Sequence, residues 1–177
     1  MSKLVRSLVV VASSAVLVGL SGCALGDGGA GGTEPTTSEP AGASLEGFDP
    51  CTFFSPDVLT GLGLSPQSEP FTQVSFEPGC RWTGEKMSLT LHKNVDETVD
   101  SYETGGNWEK YEKRSIAGRS AAIANVPGSG TTGGCDVLVD AGGGVAIYGI
   151  SGKMADSIEA CPELEKIVGQ TASGLPE

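Results

Sequence analysis

CRWTGEKMSLTLH, Cys80 to His92, alternates large apolar side chains with polar ones at a period of two. Cys80, Trp82, Met87, Leu89 and Leu91 fall on one side, and Arg81, Thr83, Ser88, Thr90 and His92 on the other. Successive side chains of a strand point to opposite faces, so this pattern predicts half-buried strands. Gly84-Glu85-Lys86 breaks the alternation. Two antiparallel strands joined by a tight turn follow.

Downstream, Asp96 to Glu103 reads as a short helix, with Asp96 as its cap, Val99 and Tyr102 facing inward, and Gly105-Gly106 ending it. Tyr111–Ile116 and Ser120–Val126 then flank Ala117-Gly118-Arg119, and Cys135–Val139 and Val145–Ile150 flank Gly142-Gly143-Gly144. These are two further hairpins of one antiparallel sheet. At the C-terminus, Leu164, Ile167, Val168, Ala172 and Leu175 lie along one helical stripe, with Pro162 near its start and Glu163 and Glu165 in the first turn. Gly169 inside that stripe costs about 1 kcal/mol relative to Ala, which suggests close packing there. Upstream, Ser55-Pro56-Asp57 supplies an N-cap, a proline at the first helical position and a first-turn acid, before Val58, Leu59 and Leu62; Gly61 and Gly63 stop this helix early. The order is helix, two strands, helix, four strands, helix. An α+β domain is expected, an antiparallel sheet of about five or six strands with helices packed on it.

The N-terminus reads differently. Lys3 and Arg6 precede the uncharged apolar run Leu8–Leu20 and the small residues Ser21 and Gly22, the pattern of a secretory signal peptide over residues 1–22. The run falls short of the roughly 20 apolar residues that span a bilayer. Leu20-Ser21-Gly22-Cys23 resembles the bacterial lipobox, which implies a diacylglyceryl thioether on Cys23 and further acylation, such as palmitate, at the new N-terminus. Two or three chains anchor stably, since each buried CH₂ contributes about 0.8 kcal/mol. Residues 23–44 are rich in Gly, Ser, Thr and Pro with no aromatic side chain, and read as a flexible linker that sets the domain roughly 25 Å from the lipid. The domain itself is expected over 45–177.

Cys51, Cys80, Cys135 and Cys161 remain, an even number in an oxidising compartment, and two disulfides follow. Of the three connectivities we favour Cys51–Cys80 and Cys135–Cys161, each closing a loop of nearly thirty residues; the crossed pairings stay open. The formal net charge is −11, and removal of Lys3 and Arg6 with the signal takes it to about −13. Such a surface disfavours nucleic acid and charge-driven docking on anionic lipid.

Asp49-Pro50-Cys51 with Phe53, Phe54 and Ser55-Pro56; Cys80-Arg81-Trp82; Gly118-Arg119-Ser120-Ala121; Cys135-Asp136-Val137; and Cys161 before a helix ending in Leu175-Pro176 occur in that order. Together, after a lipobox, they resemble the DUF3558 family of actinobacterial cell-envelope lipoproteins. Pro162 departs from the family's usual pattern after the last cysteine. The resemblance implies a membrane-anchored protein of unknown activity, with a fold similar to the PsbP/Mog1-like α+β proteins. It carries no catalytic residues over.

Read residue by residue, the chain offers little reactive chemistry. Its one histidine, His92, is expected on a polar strand face as an ordinary surface residue, and no G-x-S-x-G elbow accompanies it. Gly128–Gly134 lacks the lysine of a P-loop, and Asp96, Glu97, Asp100 and Glu103 lack the alternation of a calcium loop. No cofactor, metal or catalytic residue is expected. Among Trp82, Trp108, Tyr102 and Tyr111, Trp82 is expected in the core and Trp108, after Gly105-Gly106-Asn107, as an exposed aromatic contact. Two functions fit: a non-catalytic interaction or scaffold module that meets an envelope protein, or a carrier or sensor of a small apolar or lipidic ligand. A carrier needs an unfilled apolar cavity of about 300 Å³ or more. A scaffold should show a filled core and an exposed apolar patch.

Overall fold

The computed structural model describes residues 44–129, 133–154 and 157–177. The signal peptide, Cys23, the linker up to residue 43 and residues 130–132 of the glycine-rich loop lie outside the described residues. Among the described residues seven strands form one antiparallel sheet: β1 (Glu69–Pro70), β2 (Gly79–Thr83), β3 (Met87–Asn94), β4 (Lys110–Ile116), β5 (Arg119–Asn125), β6 (Gly134–Ala141) and β7 (Gly144–Gly152). Their spatial order is β1-β2-β3-β7-β6-β5-β4. The domain is α+β, as expected. The strand beyond the six predicted ones is the two-residue β1, too short to leave a period in the sequence.

Hairpin chemistry sets the register. Ala117 and Gly118 have φ of 52° and 80°, and Gly142 and Gly143 of 52° and 85°. Two consecutive left-handed residues make the turn whose twist matches the flanking strands. β3 pairs with β7 along its whole length, from Met87 opposite Gly152 to Asn94 opposite Val145, which joins the β2–β3 hairpin to the β4–β7 meander.

One face of the sheet carries Cys80, Trp82, Leu89, Leu91, Val137, Val139, Tyr148 and Ile150 into the main core. Two short 3₁₀ turns (Leu45–Gly47, Pro50–Thr52), α1 (Pro56–Gly61), α3 (Ala160–Thr171) and a final 3₁₀ turn (Ala172–Gly174) belong with this side. Ser55 caps α1 by accepting from the Val58 amide. Leu164, Ile167, Val168, Ala172 and Leu175 are all buried, although Leu175 lies in extended backbone beyond the helix. Gly169, expected to be closely packed, faces open space on the outer side of α3. Phe54 meets Trp82 edge to face at 5.0 Å. Such pairs contribute about 0.5–1.5 kcal/mol beyond their buried area.

The favoured disulfides are both formed, Cys51–Cys80 with Cα atoms 5.1 Å apart and Cys135–Cys161 with 5.2 Å. The first ties the Pro50–Thr52 turn to β2, and the second ties the start of α3 to β6.

α2 (Val99–Gly105) covers the opposite face. Its cap is Thr98, not Asp96: Thr98 and Ser101 exchange side-chain to backbone hydrogen bonds in a capping box, while the Asp96 amide turns back to Asn94 Oδ1 at 3.1 Å. Val99 packs with Ala122, Ala124, Leu138, Val145 and Ile147 in a second, smaller cluster, with Tyr102, Trp108 and Tyr111 at its margin. Among the described residues, no helix is long and apolar enough to cross a membrane.

Candidate functional site

The second face is where the sheet is unevenly covered. Arg81, Ser88, Thr90, His92, Asn94 and Asp136 project there, on the side opposite Trp82, Leu91 and Val137. The loop Phe71–Pro78, between β1 and β2, folds over the β2–β3 end of this surface, and α2 covers the β5–β6 end. A groove runs between them.

Its outer part has a volume of about 570 Å³ and is lined by Val74, Phe76, Tyr102, Trp108, Val126 and Pro127, among others. Phe76 is 59% exposed, Val126 44% and Val74 40%. These place three large apolar side chains in water around one concavity. Glu77, Tyr102, Trp108 and Val126 also line an inner cavity of about 200 Å³, whose floor is Thr90, His92, Asp136, Gly149 and Ser151. The two volumes therefore share a boundary.

Local sequence explains how each wall is held. Trp108 is half-buried, not the exposed contact expected of it: its Nε1–H donates to the Tyr102 carbonyl at 2.6 Å, and its ring lies 5.7 Å from that of Tyr111. A Cβ at residue 106 would fall 2.0 Å from Trp108 Nε1, so Gly106 permits this position. Tyr102 accepts from Asn94 Nδ2 at 2.8 Å and donates its hydroxyl to Glu77 Oε1. Burial, with the adjacent Glu77 carboxylate, holds the Tyr102 hydroxyl well above its ordinary range.

His92 corrects another expectation. It projects from the polar face of β3 as predicted, but the Phe71–Pro78 loop buries it to 3% exposure. Its Nδ1–H donates to the Glu77 carbonyl at 3.1 Å, and the Phe71 ring lies 5.5 Å away. Burial holds its pKa below the ordinary value. The Arg81 guanidinium stacks over the other part of this wall, 3.4 Å from the Phe71 ring centroid.

Asp136 is the group that sequence reading passed over. It is largely surrounded by protein, keeps partial exposure and lines the inner cavity. No described residue donates a hydrogen bond to its carboxylate. Burial first, and then the Glu77 charge, push it up to about 6. Gly149, its cross-strand neighbour, makes the space: a Cβ there would lie 2.8 Å from Asp136 Oδ1 and 2.6 Å from Thr90 Oγ1. The signal was available in the alternation, which puts Asp136 between Cys135 and Val137 and therefore on the face away from the core.

Over residues 18–173 the chain matches the family described as a protein of unknown function, DUF3558. The chain belongs to this family. No curated protein and no solved structure matches it.

Most of the segments through which DUF3558 resemblance was read hold the fold. Arg119 donates to the Asp140, Pro176 and Leu175 carbonyls at 3.2, 2.7 and 2.8 Å, clamping the C-terminal Leu175-Pro176 to the sheet. Asp49 accepts from the Cys51 amide at 2.9 Å and caps the turn that carries the first disulfide. Asp136 makes no comparable structural contact. The acidic stretch of α2 behaves as a solvated face, with Lys113 Nζ 2.9 Å from Asp100 and 2.6 Å from Glu103. Exposed pairs of this kind are screened by water and contribute little to stability.

Proposed function

We propose that this DUF3558 protein is a non-catalytic binding module, anchored through Cys23 to the extracytoplasmic face of the cell membrane, which meets an envelope partner through the groove between the Phe71–Pro78 loop and α2. The observation that carries the reading is the ring of exposed Phe76, Val74 and Val126 around one concavity, on the face opposite the main core. Monomeric soluble proteins seldom expose clustered apolar side chains that have no function. The N-terminal pattern ending in Cys23 supports the anchor.

Two measurements test this. Cys23→Ala is expected to move the protein from the membrane fraction to the soluble fraction, and retention of the variant would refute the anchor. A photo-crosslinker at position 76 is expected to give a discrete adduct in the intact envelope, with none from position 166 on the exposed side of α3. Equal labelling from both positions would refute the assignment of the working face.

A second reading, a carrier of a small apolar ligand, is favoured by a specific feature. The outer groove exceeds the volume that a small-molecule site needs and continues into a cavity with a polar floor. Native mass spectrometry of the protein released gently from its own envelope tests it. A stoichiometric bound mass is expected of a carrier, and a clean apo mass leaves the protein-partner reading.

A further inference from the structure

We infer that the groove binds a small amphiphile carrying an ammonium group, with the ammonium seated between Asp136 and Glu77 in the inner cavity and the apolar body lying along Trp108, Phe76, Val74 and Val126. This deepens the carrier reading and rests on it.

The cavity floor holds an acid without a donor. Asp136 is largely surrounded by protein, lines the inner cavity and receives no hydrogen bond from any described residue. A carboxylate removed from water without donors is destabilising, and proteins ordinarily satisfy it with an amide, a hydroxyl or a cation. Here the Thr90 hydroxyl is directed to the Gly149 carbonyl at 3.4 Å. The Tyr102 hydroxyl is committed to Glu77. Among the described residues of the lining the one Lys or Arg, Arg81, is stacked on Phe71. Nor does crowding force the arrangement, since Gly149 leaves room for the Asp136 carboxylate where any side chain would displace it.

The charges around the cavity then select the head group. From the Phe71–Pro78 loop comes Glu77, from β2 Arg81, from β3 His92, from α2 Tyr102, and from β6 Asp136. His92 is held toward its neutral form, and Tyr102 is neutral at any physiological pH. Two carboxylates face one guanidinium, so an anionic head is repelled and a cationic one attracted. The aromatic rings of Tyr102 and Trp108 in the same lining favour an ammonium over a neutral donor. The rim sets the rest of the ligand. Exposed Phe76, Val74 and Val126 offer apolar surface to a chain or ring, and the charged side chains of this outer lining, Glu77 and Glu97, are again acids that repel an anion.

The test uses the complete chain carrying Cys23→Ala, so that no acyl chain competes, and three matched probes: n-octylammonium, 1-octanol and octanoate. Binding is read by calorimetry and by the Trp108 indole N–H resonance, assigned with Trp108→Phe. Octylammonium is expected to bind at least tenfold more tightly than octanol at pH 7.5, with octanoate weakest. Asp136→Asn keeps the shape and removes a largely buried charge, so it should fold at least as well; it is expected to abolish the preference for octylammonium over octanol. In the wild type the preference should fall about tenfold between pH 7.5 and pH 5, as Asp136 takes up its proton. Phe76→Ser, at an exposed position, should weaken octylammonium and octanol equally. Equal binding of octylammonium and octanol, or an ammonium preference that survives Asp136→Asn, overturns the head-group assignment while leaving the apolar groove standing. Failure of all three probes to bind overturns the carrier reading with it.

Discussion

Gly149→Ala is the sharpest probe of how the inner cavity is built. Gly149 sits in β7 directly opposite Thr90 of β3 on one side and Asp136 of β6 on the other. An added Cβ would lie 2.6 Å from Thr90 Oγ1 and 2.8 Å from Asp136 Oδ1, both closer than packed atoms allow. Small-to-large insertions into filled sites cost about 1–3 kcal/mol. Against this, replacing Gly by Ala within a strand recovers about 0.5–1 kcal/mol of backbone entropy. The net loss in the wild type should be about 0.5–2 kcal/mol. In a background where Thr90 and Asp136 are both Ala, both clashing atoms are gone, and the same substitution should raise stability by about 0.5–1 kcal/mol. The assay is urea unfolding with the disulfides intact, followed by the fluorescence of buried Trp82, with an unchanged slope marking an unaltered unfolded state. The reversal of sign is the test. An equal cost in both backgrounds would place the clash in the backbone and refute the view that Gly149 exists to admit these two side chains.

Further predictions rest on other parts of the fold. Removing Cys135–Cys161 by paired Ser substitution should cost about 3.5 kcal/mol from loop closure, and removing Cys51–Cys80 a similar amount, both read by denaturation; a loss under about 1 kcal/mol would refute the estimate. Ala117→Asn should raise stability by about 0.5–1 kcal/mol, because Ala117 holds φ of 52° in a two-residue turn where Asn is favoured; a melting temperature that does not rise would count against that turn. Asp136 predicts an unusual pH profile. Its folded pKa of about 6 lies above the ordinary aspartate value of about 3.9, so the folded state binds the extra proton, and stability should fall by about 2–3 kcal/mol as pH rises from 4 to 6 and then level off. Wild type and Asp136→Asn compared across that window isolate the effect, and parallel profiles would refute it. Arg119→Met should cost about 1–3 kcal/mol and speed amide exchange around Leu175, with unaltered exchange there refuting the clamp.

The sheet was legible wherever alternation ran undisturbed. Met87, Leu89 and Leu91 against Ser88, Thr90 and His92 predicted one strand correctly, because the second face is polar enough to contrast with the core. The β6 and β7 pattern is weaker, since Leu138, Val145 and Ile147 are buried beneath α2 while their neighbours enter the main core. Glycine turns supplied the hairpin positions there. The misjudged details share a cause. Asp96 looked like a cap by residue type, but Thr98 paired with Ser101 holds the helix from two residues later. Gly169 looked like a packing glycine, although it lies on the solvent side of the stripe that the same residues predict. His92 looked exposed because its own strand is polar on that side. Nothing local to it reveals that a loop fourteen to twenty-one positions earlier closes over the ring. The groove was invisible for the same reason: its walls come from Val74–Glu77, Tyr102–Trp108 and Val126, which only the β3–β7 pairing brings together.

The two faces divide stability from exposure. The core face has both disulfides, the Arg119 clamp and Lys93, whose Nζ donates to the Glu46 and Phe48 carbonyls at 2.6 Å each. Each of these ties a terminal segment to the sheet, so the fold is secured without help from the second face. That second face can then keep features that lower stability: an acid pushed up to about 6, an exposed Phe76, and a glycine in the middle of the central strand. Such costs persist where something other than folding keeps them in place. Asp136→Asn should therefore raise stability at neutral pH while lowering affinity for the ammonium probe. A residue whose removal improves the fold and impairs binding belongs to a site, whereas one that loses both belongs to the scaffold.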